Sequence, residues 1–243
     1  MIEVRDYQKV YRDVVAVEDL SFTVGPGEIL GLVGPNGAGK TTTLRALAGI
    51  IPPTRGTLTV GEFDVVRHPI DAKKRLAYIP DDPKLFDALT IWEHLSFTAS
   101  AYGMNVFEEE AEKLLEMFQL TDKRGALAQE LSRGMRQKTA VCCAYLHSPT
   151  AILFDEPMVG LDPRGMRTLR ESMHERAAAG AAIIISSHML SLVEDLCTHL
   201  LILDHGKRLF LGSVEEARET YGKLDEEGSI EDVFFRATEG TDE

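Results

Sequence analysis

Between Glu28 and Ile50 the chain reads EILGLVGPNGAGKTTTLRALAGI, and few stretches of this length leave a fold so little choice. Glu28 to Gly34 is a nearly continuous apolar run, the pattern of a parallel strand buried on both faces. GPNGAGKT, Gly34 to Thr41, follows it, and TLRALAGI then resumes at helical spacing. Strand, glycine-rich loop and helix in that order form the context of a phosphate-binding P-loop. The glycines let successive backbone N–H groups wrap around phosphate oxygens, and the helix N-terminus adds positive potential. Lys40 is expected to reach the β- and γ-phosphates of a nucleotide, and Thr41 to ligate Mg²⁺.

The segments around this unit predict an α/β architecture. Short alternating runs at Ile2 to Tyr11, Val15 to Val24 and Thr57 to Val60, broken by GPGE and PPTRG, read as strands joined by turns. From Leu89 to Leu146 apolar residues recur at helical spacing, as in Leu114, Leu115 and Phe118 or Val141, Ala144 and Tyr145. Buried-strand runs return at AILF and AAIIIS, separated by the helical RGMRTLRESMHERAAA. Strand, helix, strand at that interval means a parallel sheet. The acidic end KLDEEGSIEDVFFRATEGTDE is expected to form a short helix with a frayed tail.

ILFDEP, Ile152 to Pro157, ends a second buried strand in two carboxylates. Beside a P-loop the neighbouring parallel strand delivers an Asp to the Mg²⁺ site, a role that suits Asp155. Glu156 then stands where it can polarise an attacking water. ELSRGMRQK, Glu130 to Lys138, is harder to place: its Ser has no base to activate it and no acidic partner close by in sequence.

Composition removes several alternatives. With a net charge of −13 the chain is a poor match for a phosphate backbone, since nucleic-acid binding draws on Lys and Arg. The three cysteines and seven histidines fall at no metal-ligand spacing, so reduced thiols and no structural metal site are expected. The N-terminus has no apolar leader, and the longest apolar run, Ala177 to Ile185, is about half a membrane span. A soluble, cytoplasmic chain is expected.

Taken in order, the P-loop, LSRGM at Leu131 to Met135, FDEP, GLDP at Gly160 to Pro163, and His188 after IIISS resemble the ATP-binding subunits of ABC transporters. The likeness runs from Ile2 to about Thr238. It implies a P-loop NTPase fold, a RecA-like parallel-sheet core with an N-terminal antiparallel β region and an inserted α-helical subdomain. The ATP-binding domain would span 1–238, with 88–146 as the helical insert and 239–243 as an acidic tail. ATP and Mg²⁺ are the implied cofactors. Gly34, Pro35, Asn36, Gly37, Ala38, Gly39, Lys40, Thr41 and Thr42 would hold the phosphates, and Tyr11 would stack on adenine. Thr41, Asp155 and Asp81 would face Mg²⁺. Asp81 stands in YIPDDPKLF where the family usually has Gln, which adds a negative charge beside the phosphates. Glu156 and His188 would be the catalytic pair.

In this family ATP lies between two subunits facing head to tail, which gives the LSRGM loop a purpose. Leu131, Ser132, Arg133, Gly134 and Met135 would contact ATP held by a second copy or a related subunit, and Asp162 would couple the two sites. Arg133 and Met135 depart from the commoner Gly and Gln; Arg133 either adds a cation near the nucleotide or faces solvent. The resemblance implies a separately encoded membrane-spanning permease, of exporter type, with this chain peripheral on the cytoplasmic face. Its groove would lie beside the Asp81 loop, with Phe86, Trp92 and Phe97 supplying apolar contact. ABC-type ATPases acting on nucleic acid or ribosomes carry a coiled-coil insert or two ATPase domains, and the stretch from Lys40 to Leu131 has no heptad run. A P-loop kinase of small metabolites has no use for LSRGM or Asp162.

Overall fold

The structure is a computed structural model that describes residues 1–188, 190–221 and 234. Its elements follow in chain order. They begin with β1 (Ile2–Tyr11), β2 (Val14–Val24), β3 (Ile29–Val33), α1 (Lys40–Leu47), β4 (Arg55–Val60), β5 (Phe63–Asp64), α2 (Pro69–Arg75) and β6 (Leu76–Ile79). Three helices come next, α3 (Ile91–Ala101), α4 (Glu108–Met117) and α5 (Arg133–Leu146). The rest comprises β7 (Ala151–Asp155), α6 (Pro163–Ala178), β8 (Ala182–Ser186), α7 (Leu190–Leu196), β9 (His199–Asp204), β10 (Lys207–Ser213) and α8 (Val214–Tyr221).

Two sheets result. The first is four-stranded and antiparallel in the order β2-β1-β4-β5; its alternating residues Ile2, Val4, Leu20, Phe22, Leu58 and Val60 turn inward and are buried. The second has six strands in the order β10-β9-β3-β8-β7-β6, parallel except for β10. Every residue of β3, β7 and β8 is buried, as their unbroken apolar runs predict.

Side-chain alternation divides the interior along the six-stranded sheet. Leu30, Leu32, Leu153 and Ile184 pack with Leu44 and Leu47 of α1 and with the antiparallel sheet. Ile152, Phe154, Ile183 and Ile185 pack the other way, against Leu95, Tyr145, Leu169 and Met173 of the helices. Tyr145 joins the helical segment to the sheet, with Phe118 and Phe154 rings each 6.4 Å from its own. Its hydroxyl lies 3.1 Å from Ser172 Oγ, so the buried phenol keeps a hydrogen bond.

The stretch from Leu89 to Leu146 is helical with interruptions. Thr90 and Glu93 form a capping box that starts α3: Thr90 Oγ1 accepts from the Glu93 N–H, and Glu93 accepts from the Thr90 N–H. Thr90 also forms an isolated bridge with Leu127, which ties the start of α3 to the chain entering α5. The hairpin of β9 and β10 extends the sequence reading. HLLILDHGKRLFLG carries its signal, two apolar runs about a His205-Gly206 turn whose residues both have positive φ. The helix expected in the acidic end lies outside the described residues, except for Phe234, which packs partly buried near β9. Among the described residues no helix is long and apolar enough to cross a membrane.

At the end of α5, His147 stacks on Tyr102 with 3.7 Å between ring centroids, and neither of its buried ring nitrogens meets hydrogen-bond geometry. Burial pushes its pKa down to about 4, and the Leu76 backbone pulls weakly the other way. An unfolded histidine takes its proton near pH 6.5, so the unfolded chain binds more protons between that pH and about 4. Stability is therefore lost as pH falls through this window. His147→Phe keeps the stacked ring without the titrating nitrogens. Its melting temperature should fall less than that of the wild type from pH 7 to 4.5, measured by circular dichroism; equal losses would remove His147 as a source of acid sensitivity.

Candidate functional site

The loop between β3 and α1 has its apex, Pro35 to Gly37, exposed, while Ala38, Gly39 and Lys40 are buried beneath it. Gly39 sits at φ +103°, and a Cβ there would lie 2.8 Å from the Ala16 carbonyl oxygen, so only glycine fits between the two sheets. Lys40 Nζ turns back onto its own loop, donating to the carbonyls of Gly34 at 2.6 Å and Pro35 at 3.1 Å. Burial lowers its pKa, while the charges of Glu156 and Asp155 act in the opposite sense. A cation thus stands in the loop, facing two carboxylates.

Asp155, at the C-terminal end of β7, is 1% exposed, and three hydroxyls satisfy its carboxylate. Thr41 Oγ1 of α1 donates to Oδ1 at 3.1 Å, Ser186 Oγ of β8 to the same oxygen at 2.6 Å, and Tyr78 Oη of β6 to Oδ2 at 3.2 Å. The fold brings Thr41 to Asp155 as expected, but β7 is not the neighbour of β3 that the sequence reading takes it for, since β8 lies between them. That reading does not single out Ser186 or Tyr78. Their signals were a serine ending the apolar run IIIS and a tyrosine within AYI of an edge strand.

Glu156 leaves the strand in the left-handed region, φ +49°, uncommon for a residue with a side chain. Its N–H donates to the carbonyl and the Oγ of Ser186, at 3.1 and 3.2 Å, which holds the turn. Its Oε2 lies 2.7 Å from His188 Nδ1 and 3.4 Å from the His188 backbone nitrogen. The carboxylate and imidazole of the expected catalytic pair are therefore in contact.

Ser132 caps α5, its Oγ accepting from the Met135 N–H at 3.3 Å. No acidic residue sits in the first turn of α5, so the positive end of this fourteen-residue helix is not offset there. Gly134 lies so close to the loop before α6 that a Cβ would be 2.6 Å from the Gly160 carbonyl oxygen. Asp162 caps α6 by accepting from the Gly165 N–H at 3.2 Å, and it pairs with Lys138 of α5 at 3.4 Å. Arg133 is exposed, and its Nη2 reaches the Asp81 carbonyl at 3.4 Å. The carboxylate of Asp81 bonds to neither Thr41 nor Asp155 in this structure. Leu131 to Met135 bond to α5, to the turn before it at Ala128 and to Asp81, and among the described residues make no hydrogen bond to Gly34–Thr42.

Tyr11 is exposed at the end of β1, with Lys9 Nζ 4.9 Å from its ring centroid. A groove of about 340 Å³ opens between the loop after β6 and helices α3 and α5. Phe86 and Phe97 stand exposed at it with ring centroids 5.4 Å apart. Trp92, expected beside them, is not in its wall: it packs on Phe107 at 5.6 Å under the Arg124 guanidinium at 4.6 Å. The helical phase of α3 turns Trp92 away from Phe97, five residues later.

The residues present suit the implied cofactors. Thr41 and Asp155 offer the hard oxygen ligands that Mg²⁺ takes, and a loop of backbone N–H groups at a helix N-terminus suits phosphates. Among the described residues no cluster of three or more His, Cys, Asp or Glu forms a protein-only metal cage. Phosphates and water would supply the remaining ligands.

Fold and site together define a P-loop nucleotide-binding protein. The ABC transporter family model matches residues 17–159, more than half of the chain, and the chain belongs to that family, whose cassettes bind and hydrolyse ATP. The ABC-type transporter ATP-binding protein EcsA of Bacillus subtilis (strain 168) is 33% identical over 240 residues, covering 98% of this chain and 96% of that protein. Nod factor export ATP-binding protein I of Cupriavidus metallidurans is 34% identical over 218 residues, 89% of this chain and 72% of that one. A solved ATP-binding subunit of an ABC transporter superposes with a TM-score of 0.91 at 34% identity, over 98% of this chain and 99% of the other.

The approach of Gly134 to Gly160 is backbone against backbone, which leaves little room to adjust. Gly134→Ala should destabilise the protein by about 1–3 kcal/mol as the start of α5 and the Gly160 loop are forced apart. Gly125→Ala, at a site where a Cβ meets nothing within 4 Å, is the control. Urea unfolding measures both; a Gly134→Ala midpoint equal to that of the control would mean that this approach is not confining.

Proposed function

We propose that the chain is the ATP-hydrolysing subunit of an exporter whose membrane-spanning part is a separate polypeptide. The observation that carries hydrolysis is the Glu156–His188 contact of 2.7 Å beside the Asp155–Thr41 pair. In this reading Thr41 and Asp155 hold the Mg²⁺ of bound ATP, and Asp81 faces it directly or through water. Lys40 and the backbone of Gly34–Thr42 bind the phosphates, and Tyr11 stacks on adenine. Glu156 orients and deprotonates the water, and His188 contacts the γ-phosphate. Residues 1–238 act as the ATP-binding domain, with 88–146 as its helical part and 239–243 as an acidic tail.

The enzyme works as a dimer, because the Leu131–Met135 segment bonds to α5, to the turn before it and to Asp81 and spends none of its donors on its own P-loop. A second copy, or a related subunit, brings its P-loop to Ser132 and the N-terminus of α5, and Asp162 communicates between the sites. The permease occupies the groove at Phe86 and Phe97, which keeps this chain on the cytoplasmic face of the membrane. Export is favoured by the likeness to a Nod factor export protein. A net charge of −13 speaks against nucleic acid as the partner.

Glu156→Gln should lower ATP hydrolysis by about 10²-fold or more with ATP binding retained, read by phosphate release and nucleotide titration. Near-normal turnover would remove Glu156 from this role. Shared sites are tested by mixing two inactive variants, Ser132→Arg and Lys40→Ala. If each site draws on two chains, the mixed dimer contains one site with an intact P-loop and an intact Leu131–Met135 segment, so activity returns. A mixture that stays inactive, and that forms no ATP-dependent dimer in a Glu156→Gln background by light scattering, would overturn the shared-site reading.

A further inference from the structure

β6 is the edge strand of the six-stranded sheet and pairs with β7 alone. Its side chains divide between the two faces. Ala77 and Ile79 pack toward the helical segment, while Leu76 and Tyr78 turn to the α1 side. Tyr78 lies opposite Leu153, two residues before Asp155, so its ring extends diagonally along β7 to the carboxylate. The ionised carboxylate has acceptors only, so the phenol is the donor in the 3.2 Å bond to Oδ2. The phenol oxygen then has a lone pair to offer, and the charge of the Arg45 guanidinium of α1 acts on it. A cation on that side favours the lone pair toward Arg45 and the phenol proton toward Asp155. Thr41 and Ser186 both load Oδ1, and Tyr78 is the hydroxyl on Oδ2.

We propose that Tyr78, directed by Arg45, is a positioning residue that sets the orientation of the Asp155 carboxylate toward a divalent cation. This rests on the reading of Asp155 as a metal ligand. It assigns a task to two side chains outside the phosphate loop and the signature. Leu76, Ala77 and Tyr78 all help wall the groove, and the Tyr78 hydroxyl also reaches Asp155. The charge of Asp81, in the loop that follows, acts on Arg45 and so on the same chain of groups.

Metal binding tests this without turnover. Mn²⁺ is titrated into protein saturated with a non-hydrolysable ATP analogue, and free Mn²⁺ is read by electron paramagnetic resonance. Tyr78→Phe retains the ring and removes the hydroxyl; it should weaken Mn²⁺ binding about tenfold, with nucleotide affinity in EDTA unchanged. Arg45→Met should shift it in the same direction by less, and the double variant should match Tyr78→Phe alone, because both act through one bond. Asp155→Asn separates the two readings. If it binds Mn²⁺ like the wild type, Asp155 is no metal ligand and the inference falls with that reading. If it loses Mn²⁺ while Tyr78→Phe stays within about twofold of the wild type, the positioning role alone is overturned. Should Tyr78→Phe fail to fold, an unchanged Mn²⁺ affinity in Arg45→Met, altered at an exposed position, overturns it as well.

Discussion

A carboxylate with 1% exposure at the end of β7 is the constraint around which the rest is arranged. A buried charge must be hydrogen-bonded or paired, or its desolvation costs several kcal/mol. Asp155 meets this with hydroxyls from three elements that sequence keeps far apart: Thr41 from α1, Tyr78 from β6 and Ser186 from β8. Each bond also locates something else. The bond to Thr41 fixes the first turn of α1, and with it the phosphate loop. Ser186 holds both Asp155 and the N–H of Glu156, so the turn that aims Glu156 at His188 hangs from the same serine. The hydrophobic sheet supplies the rigidity, because β3, β7 and β8 are buried throughout and cannot slide by one residue without exchanging their two faces.

This explains why the polar chemistry gathers at one rim. Parallel strands end together, and their C-terminal ends open into loops that the packed interior positions without enclosing. Gly34–Thr42 follows β3, Glu156 follows β7, and His188 follows β8. The cation at Lys40 faces both carboxylates across this rim. At the opposite extreme the Leu131–Met135 segment is held by the loop of Gly160 and Asp162 and by Arg133 reaching Asp81. It is fixed in space yet does not bond to the phosphate loop of its own chain.

Much of this was legible in the sequence because the physics was local. A buried strand, a glycine-rich loop and a helix in immediate succession leave one arrangement, but that the Thr41–Asp155 contact spans an intervening strand, β8, was not legible, because strand order belongs to the whole sheet. Side-chain partnerships across the sheet are different in kind. Tyr78 meets Asp155 because of register, Leu76 opposite Ala151 and Tyr78 opposite Leu153, and register is set by the whole sheet. Trp92 likewise belongs to Phe107 and Arg124, since the rotation of α3 decides which aromatic meets solvent. The β9–β10 hairpin carried its own turn signal, although a run such as HLLILD is ambiguous between strand and helix by composition alone.

Arg133 shows how a departure from the common pattern is absorbed. Glycine is commonest at that position, and an arginine placed there must send a long cationic side chain somewhere. Its stem crosses Gly160, where an added Cβ would come within 3.0 Å, and its guanidinium reaches the carbonyl of Asp81. One side chain therefore touches the loop before α6 and the loop after β6, the two segments that flank the start of α5. The backbone of Asp81, itself in place of the usual Gln, receives Arg133 while its charge acts on Arg45. Arg133 thus links the start of α5 to the Asp81 loop by a contact that Gly at position 133 cannot make.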